Sequence, residues 1–205
     1  HTPIRRQRQM CIRDRDTPSG PALVGLTHGT GQLLAAQLVK RIAIEYPDVS
    51  VCLRDSISES LAKMLNDGRL DLALCYAPSD DQDLRFKPVG TETLVLTYWK
   101  DSVGQDVPKE IQFKDLADYP LILPSQKFEY RKLVDGFAEQ AGVELNVVHE
   151  VESVQPIRYL IREGLGFSVG SVGAVKWEVE SGHVGTSRLV DPTPVRTLYL
   201  AENMS

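Results

Sequence analysis

No apolar run in this 205-residue chain approaches the roughly 20 residues needed to cross a bilayer, so a membrane-spanning helix is excluded. The first residues lack the apolar centre of a secretory signal. Cysteine is scarce. Cys11, Cys52 and Cys75 are an odd count without CxxC spacing, which argues against a disulfide framework and for the reducing cytosol. Cys52 and Cys75 fall inside strand patterns, where a thiol serves as a small apolar side chain. The four histidines (His1, His28, His149, His183) are scattered without metal-ligand spacing. Neither GxGxxG nor a Walker motif occurs, so no nucleotide cofactor is indicated, and no cofactor of any kind is expected.

Positive charge is also short. The formal net charge is −5. Arg5, Arg6, Arg8, Arg13 and Arg15 stand against Asp14 near the start, a local +4 that leaves −9 on the remainder. An acidic body is a poor partner for a phosphate backbone, so the folded part is not expected to bind nucleic acid by itself. Residues 1–18 show no helical or strand period and read as a non-native or disordered arm.

Apolar residues make up 42% of the chain, enough for a real core. Ala22–Leu26 is a short apolar run suited to a buried strand. It opens into the polar turn Thr27-His28-Gly29-Thr30-Gly31, after which Leu34, Leu38 and Ile42 recur at helical spacing until Pro47. Val49, Val51 and Leu53 alternate as a strand. Strand, helix, strand implies parallel pairing through a right-handed crossover. That puts the Thr27–Gly31 turn at the carboxyl edge of a sheet and the amino end of a helix, where open α/β sheets hold ligands, often anions. The unit repeats: Ser56-Ile57-Ser58-Glu59 fits a capping box, Ile57, Leu61, Met64 and Leu65 form a stripe, Gly68 ends the helix, and Leu70–Tyr76 reads as the third strand.

Several segments, in order, resemble the effector-binding domain of LysR-type transcriptional regulators. They include Tyr46-Pro47-Asp48-Val49, Leu65-Asn66-Asp67-Gly68-Arg69-Leu70-Asp71-Leu72-Ala73 and Val89–Leu96. Asp115–Ile122, Ile161-Arg162-Glu163-Gly164-Leu165-Gly166-Phe167 and Leu198-Tyr199-Leu200 complete the set, which is collinear from about Ser19 to Leu200. The resemblance implies two Rossmann-like α/β lobes joined by crossover strands, as in type-2 periplasmic binding proteins, with a ligand cleft between them. It divides the chain into lobe I at 19–95 and lobe II at 96–203. It also implies a small, anionic effector, a homodimer or homotetramer of the intact cytoplasmic regulator, and DNA contact only through an N-terminal winged helix-turn-helix that this sequence does not contain. The family's C-terminal helix over lobe I is likewise expected to be missing, leaving apolar surface there.

In the second half, Leu121-Ile122-Leu123 repeats the opening strand and Pro124-Ser125-Gln126-Lys127 repeats its turn. Tyr130, Leu133, Val134, Phe137 and Ala141 stripe a helix closed by Gly142. A strand over 143–151, a helix after Ser153 ending at Gly164, a strand at Phe167-Ser168-Val169 and a helix over Ala174–Ser181 follow. Arg188-Leu189-Val190 is the next strand. The resemblance places the effector contacts in the polar turns: Thr27, His28, Gly29, Thr30, Ser56, Tyr76, Ser125, Gln126, Lys127 and Ser153. Hydroxyls and free N–H groups at helix starts stabilise an anion without a bare buried charge. The plainer alternative is that Ser56 and Ser153 only cap their own helices. Gly166-Phe167-Ser168-Val169-Gly170 matches GxSxG, but the chemistry needs a strained strand-to-helix turn and a later Asp-then-His order. Here His183 precedes Asp191 and no histidine follows, so no enzyme is expected. A solute-binding protein of a transport system, with the same architecture, is the alternative reading.

Overall fold

A computed structural model of the chain describes residues 18–76, 83–102, 106–126 and 128–204. Residues 1–17 of the expected arm, most of the loop after the third strand, and Lys127 lie outside the described residues. Two compact units form. The first takes the chain to Gly90 and again from Thr197, and the second takes Thr91–Arg196.

The first unit opens with β1 (Gly20–Leu26), α1 (His28–Glu45), β2 (Val49–Asp55), α2 (Ser58–Asn66) and β3 (Leu72–Cys75). β1 pairs in parallel with β2 on one side and β3 on the other. The crossover pattern read from the hydrophobic periods is therefore present. β4 (Leu84–Trp99) and β10 (Val195–Asn203) are the strands that pass between the units, and β10 lies antiparallel to β3. The strand order here is β2-β1-β3-β10-β4. Leu61 and Leu65 project from α2 one turn apart onto Leu70, Ala73, Cys75, Leu84 and Ala201, all buried. Burial also pushes the Cys75 thiol up to about 11, which keeps it neutral and apolar in character.

The stripe of α1 is covered less completely. Leu34, Leu38 and Ile42 are half-buried and Ile44 is exposed, while only Gly29 and Thr30 of this helix are buried. α1 packs mainly along β2, which is the edge strand, so one flank of the helix lacks a sheet beneath it.

The second unit contains β5 (Glu110–Gln112), a 3-10 turn at Phe113–Asp118, β6 (Leu121–Leu123), α3 (Glu129–Ala141), β7 (Val147–Glu150) and α4 (Val154–Arg162). β8 (Ser168–Ser171), a 3-10 turn at Val172–Val175, α5 (Lys176–Glu180) and β9 (Val184–Val190) complete it. β6 runs parallel to β7 and bridges in parallel to Phe167. The far part of β4 pairs antiparallel with β8 and β9, and β9 is parallel to β5. Leu121 and Leu123 face one cluster with Phe113, Leu116, Val134 and Val169, whereas Ile122 between them faces Ile157 and Ile161 of α4. A strand buried on both faces reads as a continuous apolar run, which is what Leu121-Ile122-Leu123 is.

Three local expectations are corrected. The capping box at Ser56 does not form: α2 starts at Ser58 with Ile57 as N-cap. The Ser56 amide donates to the Leu26 carbonyl at 3.2 Å, which continues the β1–β2 ladder by one residue and keeps Ser56 out of the helix. The strand expected over 143–151 is only Val147–Glu150. The helix expected over 174–181 is split, because the Ser171 hydroxyl accepts from the Ala174 amide and starts a 3-10 turn first. The glycine stops at Gly68, Gly142 and Gly164 all have positive φ, as their helix ends require.

Gly166 enters β6's neighbourhood with φ +156°, and a Cβ there would lie 2.6 Å from the Pro120 carbonyl oxygen, which is backbone and cannot swing away. Gly136, inside α3, has open space where its Cβ would be. Gly166→Ala is therefore expected to destabilise by about 3 kcal/mol through strain and overpacking. Gly136→Ala should stabilise by about 0.5–1 kcal/mol. Urea denaturation of both variants checks the pair, and equal stabilities would contradict it.

Candidate functional site

Parallel pairing puts the carboxyl ends of neighbouring strands at one edge, and the helix after each strand starts there. In the first unit Leu26 of β1 is in register with Asp55 of β2, so the turns after them are adjacent. The Ser56 amide closes onto Leu26 O, and the Tyr76 amide, just past β3, donates to the Ser58 hydroxyl at 3.1 Å. The structure thus gathers Thr27, His28, Gly29, Thr30, Ser56 and Tyr76 at one sheet edge. In the second unit Leu123 of β6 is in register with Glu150 of β7. The Val151 amide donates to Leu123 O at 2.9 Å, the counterpart of the Ser56–Leu26 bond. Ser125 (half-buried), Gln126 (exposed) and Ser153 (exposed) lie at this second edge.

Within the first turn the hydroxyls are tied to one another. Thr30 Oγ1 donates to the Thr27 carbonyl at 2.8 Å. With its proton committed, it accepts from Thr27 Oγ1 at 3.0 Å. Thr30 is 2% and Thr27 8% exposed. His28 is held on both ring nitrogens. The Gln32 side-chain amide nitrogen can only donate, so His28 Nε2 accepts from it at 3.0 Å and Nδ1 carries the proton toward Asp55, 3.1 Å away. Asp55 and Gln32 carry no motif that marked them in the sequence, and Ser58 stood only as an interior position of the expected capping box. The register that sets Asp55 opposite Leu26 brings in the carboxylate, and one-turn spacing along α1 brings Gln32 to His28.

The second turn is strapped in the same place by a different residue. Arg131, on the first turn of α3 and 6% exposed, donates to Pro124 O at 3.0 Å, to Asp135 at 2.8 Å and to Glu150 at 3.2 Å. Glu150 ends β7 as Asp55 ends β2. A buried arginine inside an amphipathic stripe has no spacing signal of its own, so sequence reading passed over it. Tyr130 beside it donates to Val169 O at 2.5 Å and carries the Arg196 guanidinium over its ring at 5.2 Å.

The helices at these edges share one property. α1, α2, α3 and α4 have Thr27, Ile57, Phe128 and Ser153 as N-caps, and in none does the N-cap side chain bond a helix amide. The alternative that Ser56 and Ser153 cap their own helices therefore does not hold. Helix starts whose N-cap side chain makes no cap bond, at the positive end of the helix dipole, suit an anion.

Ser168 of the GxSxG pattern is buried and its hydroxyl donates to Ile122 O at 2.8 Å, so it is a stitch between strands. Among the described residues no group of His, Cys, Asp or Glu could hold a metal ion, and no helix is long and apolar enough to cross a membrane. A cavity of about 480 Å³ in the second unit is walled by Glu110, Asp115, Asp118, Tyr119 and Asp191 and includes none of the turn residues. Tyr119 there is raised by burial and by Asp115 and Asp118. Those carboxylates disfavour an anion.

Comparison with known proteins gives one consistent likeness. Residues 15–202 match the family model of the LysR substrate binding domain. The HTH-type transcriptional regulator BbuR of Bordetella bronchiseptica is 30% identical over 183 residues, covering 89% of this chain and 56% of that protein. The CcmR regulatory domain of Synechocystis PCC6803, solved in complex with 2-PG, superposes with a TM-score of 0.78 at 21% identity, covering 90% of this chain and 88% of that one. The effector binding domain of QuiR in complex with shikimate gives 0.77 at 20% identity, covering 91% and 88%. The fold is that of LysR regulatory domains, which is type-2 periplasmic-binding-protein-like.

The Thr27–Thr30 pair yields a stability prediction. Thr30→Val leaves the Thr27 hydroxyl and carbonyl without their buried partner, which should lower stability by about 1–3 kcal/mol. A urea midpoint unchanged from wild type would show the pair to be unimportant.

Proposed function

The chain belongs to the LysR substrate binding domain family, and from that membership we propose that its strand-end turns hold a small anionic effector and so govern a transcriptional regulator. Family membership supports the regulator reading over a solute-binding protein of a transport system. The carrying observation is that four helices start at strand carboxyl ends with no side-chain cap. An anion there completes the first-turn amides and meets the dipole's positive end.

Thr27 is the direct hydroxyl contact in this reading. Its proton points at Thr30 Oγ1 and can turn to an incoming oxygen, whereas the Thr30 proton anchors the turn. His28, Gly29, Ser56 and Tyr76 complete the first edge, and Ser125, Gln126, Lys127 and Ser153 the second. Lys127 is outside the described residues and enters by sequence alone. Lobe I at 19–95 and lobe II at 96–203 remain the functional division proposed. The chain performs no chemistry in this account; the tie of the Ser168 hydroxyl to Ile122 O supports that. Differential affinity of the effector for two arrangements of the regulator would shift its homodimer or homotetramer on DNA. In this reading the DNA contact is made by a winged helix-turn-helix of an intact cytoplasmic regulator; the match covers only 56% of the relative BbuR, an HTH-type regulator.

Isothermal titration with 2-phosphoglycolate and shikimate, on wild type and Thr27→Val, tests the reading. One hydrogen bond to a charged group is worth roughly 1.5–3 kcal/mol, so Thr27→Val is expected to weaken the bound anion about tenfold or more. An anion that binds wild type and Thr27→Val equally would remove the first turn from the site.

A further inference from the structure

Arg131 occupies a position that the effector reading does not explain by charge. Its guanidinium is balanced by two carboxylates, Asp135 one turn along α3 and Glu150 at the end of β7. The three groups together carry −1, so Arg131 offers an anion no net attraction. A buried guanidinium must be fully paired to be tolerated, yet one of its donors is spent on a neutral backbone carbonyl, that of Pro124.

That carbonyl belongs to the peptide joining Pro124 to Ser125, the first peptide of the second turn. In a trans peptide the C=O and the following N–H point in opposite directions within one plane. Drawing Pro124 O toward Arg131 therefore aims the Ser125 N–H to the opposite side. A lysine places its donors on one atom at the end of a flexible stem, and so lacks the planar spread by which Nε and Nη1 reach acceptors on three elements.

We propose that Arg131 is the positioning residue of the second turn: by holding Pro124 O it fixes the peptide plane that presents the Ser125 N–H to the effector. The Glu150 contact ties that plane to the neighbouring strand end, as the His28–Asp55 contact ties the first turn to β2. The inference deepens the effector reading and rests on it for the identity of what the N–H meets.

The test is amide hydrogen exchange and titration with 2-phosphoglycolate on wild type and Arg131→Lys. Three amides report separately: Phe128, bonded to Ser125 O in the second turn; Val143, bonded to Ala138 O at the far end of α3; and Gly31, bonded to Thr27 O in the first turn. Arg131→Lys is expected to speed exchange at Phe128 at least tenfold, to leave Val143 and Gly31 near wild type, and to weaken the anion about tenfold. Exchange at Phe128 unchanged, or raised equally at Val143, overturns the positioning role; the second result makes Arg131 a general support of the fold. If wild type binds no anion while Phe128 still responds alone, positioning stands and the effector reading falls. Should Arg131→Lys not fold, Asp135→Asn loosens the same guanidinium while keeping its charge. A several-fold rise at Phe128 alone is then expected, and no rise overturns the proposal.

Discussion

Parallel pairing is the constraint on which the site depends. A strand that must run parallel to its predecessor forces the chain back along a helix, and that helix can begin only where the strand ends. Both units obey it with the same closing bond, Ser56 N–H to Leu26 O in one and Val151 N–H to Leu123 O in the other. Once β1–β2 and β6–β7 are in register, helix starts, strand-end acids and polar turns are brought to one edge of each unit. Asp55 and Glu150 are equivalent in this sense.

The two edges solve one problem with different chemistry. A polar turn at a strand end has backbone groups that must be oriented without being consumed by the fold. In the first unit the buried Thr27 and Thr30 hydroxyls close on each other, and His28 spans Gln32 and Asp55. In the second unit one buried arginine replaces these, reaching Pro124 O, Asp135 and Glu150. In both units the N-cap side chains make no bond to the helix amides, which costs some helix stability. In the proposed reading a bound anion at the positive end of the helix dipole offsets that cost.

Much of this was readable from the sequence because it is periodic. The period-2 and period-3.6 runs of Ala22–Leu74, the apolar triplet at Leu121–Leu123 and the glycines at 68, 142 and 164 each encode one local state, and the structure shows those states. Failures came where specific hydrogen bonds, one long-range and one local, outweighed a pattern rule. Ser56 and Glu59 match a capping box, but the ladder bond to Leu26 keeps Ser56 extended, so the helix starts at Ser58. Ser171 diverts the next residues into a 3-10 turn before α5 can form. Arg131 was invisible for another reason: its role is set by partners 7 and 19 residues away, and no spacing rule names them.

The account's central claim is that the amides of the strand-end turns and of the helix starts that follow them are what the effector meets. Heteronuclear NMR during a titration with 2-phosphoglycolate tests it most directly. The account predicts that the amide signals of Gly29, Thr30, Ser125 and Gln126 shift together and saturate at one ligand concentration. Saturable shifts confined to other residues, such as those around Asp115 and Asp118, would contradict it.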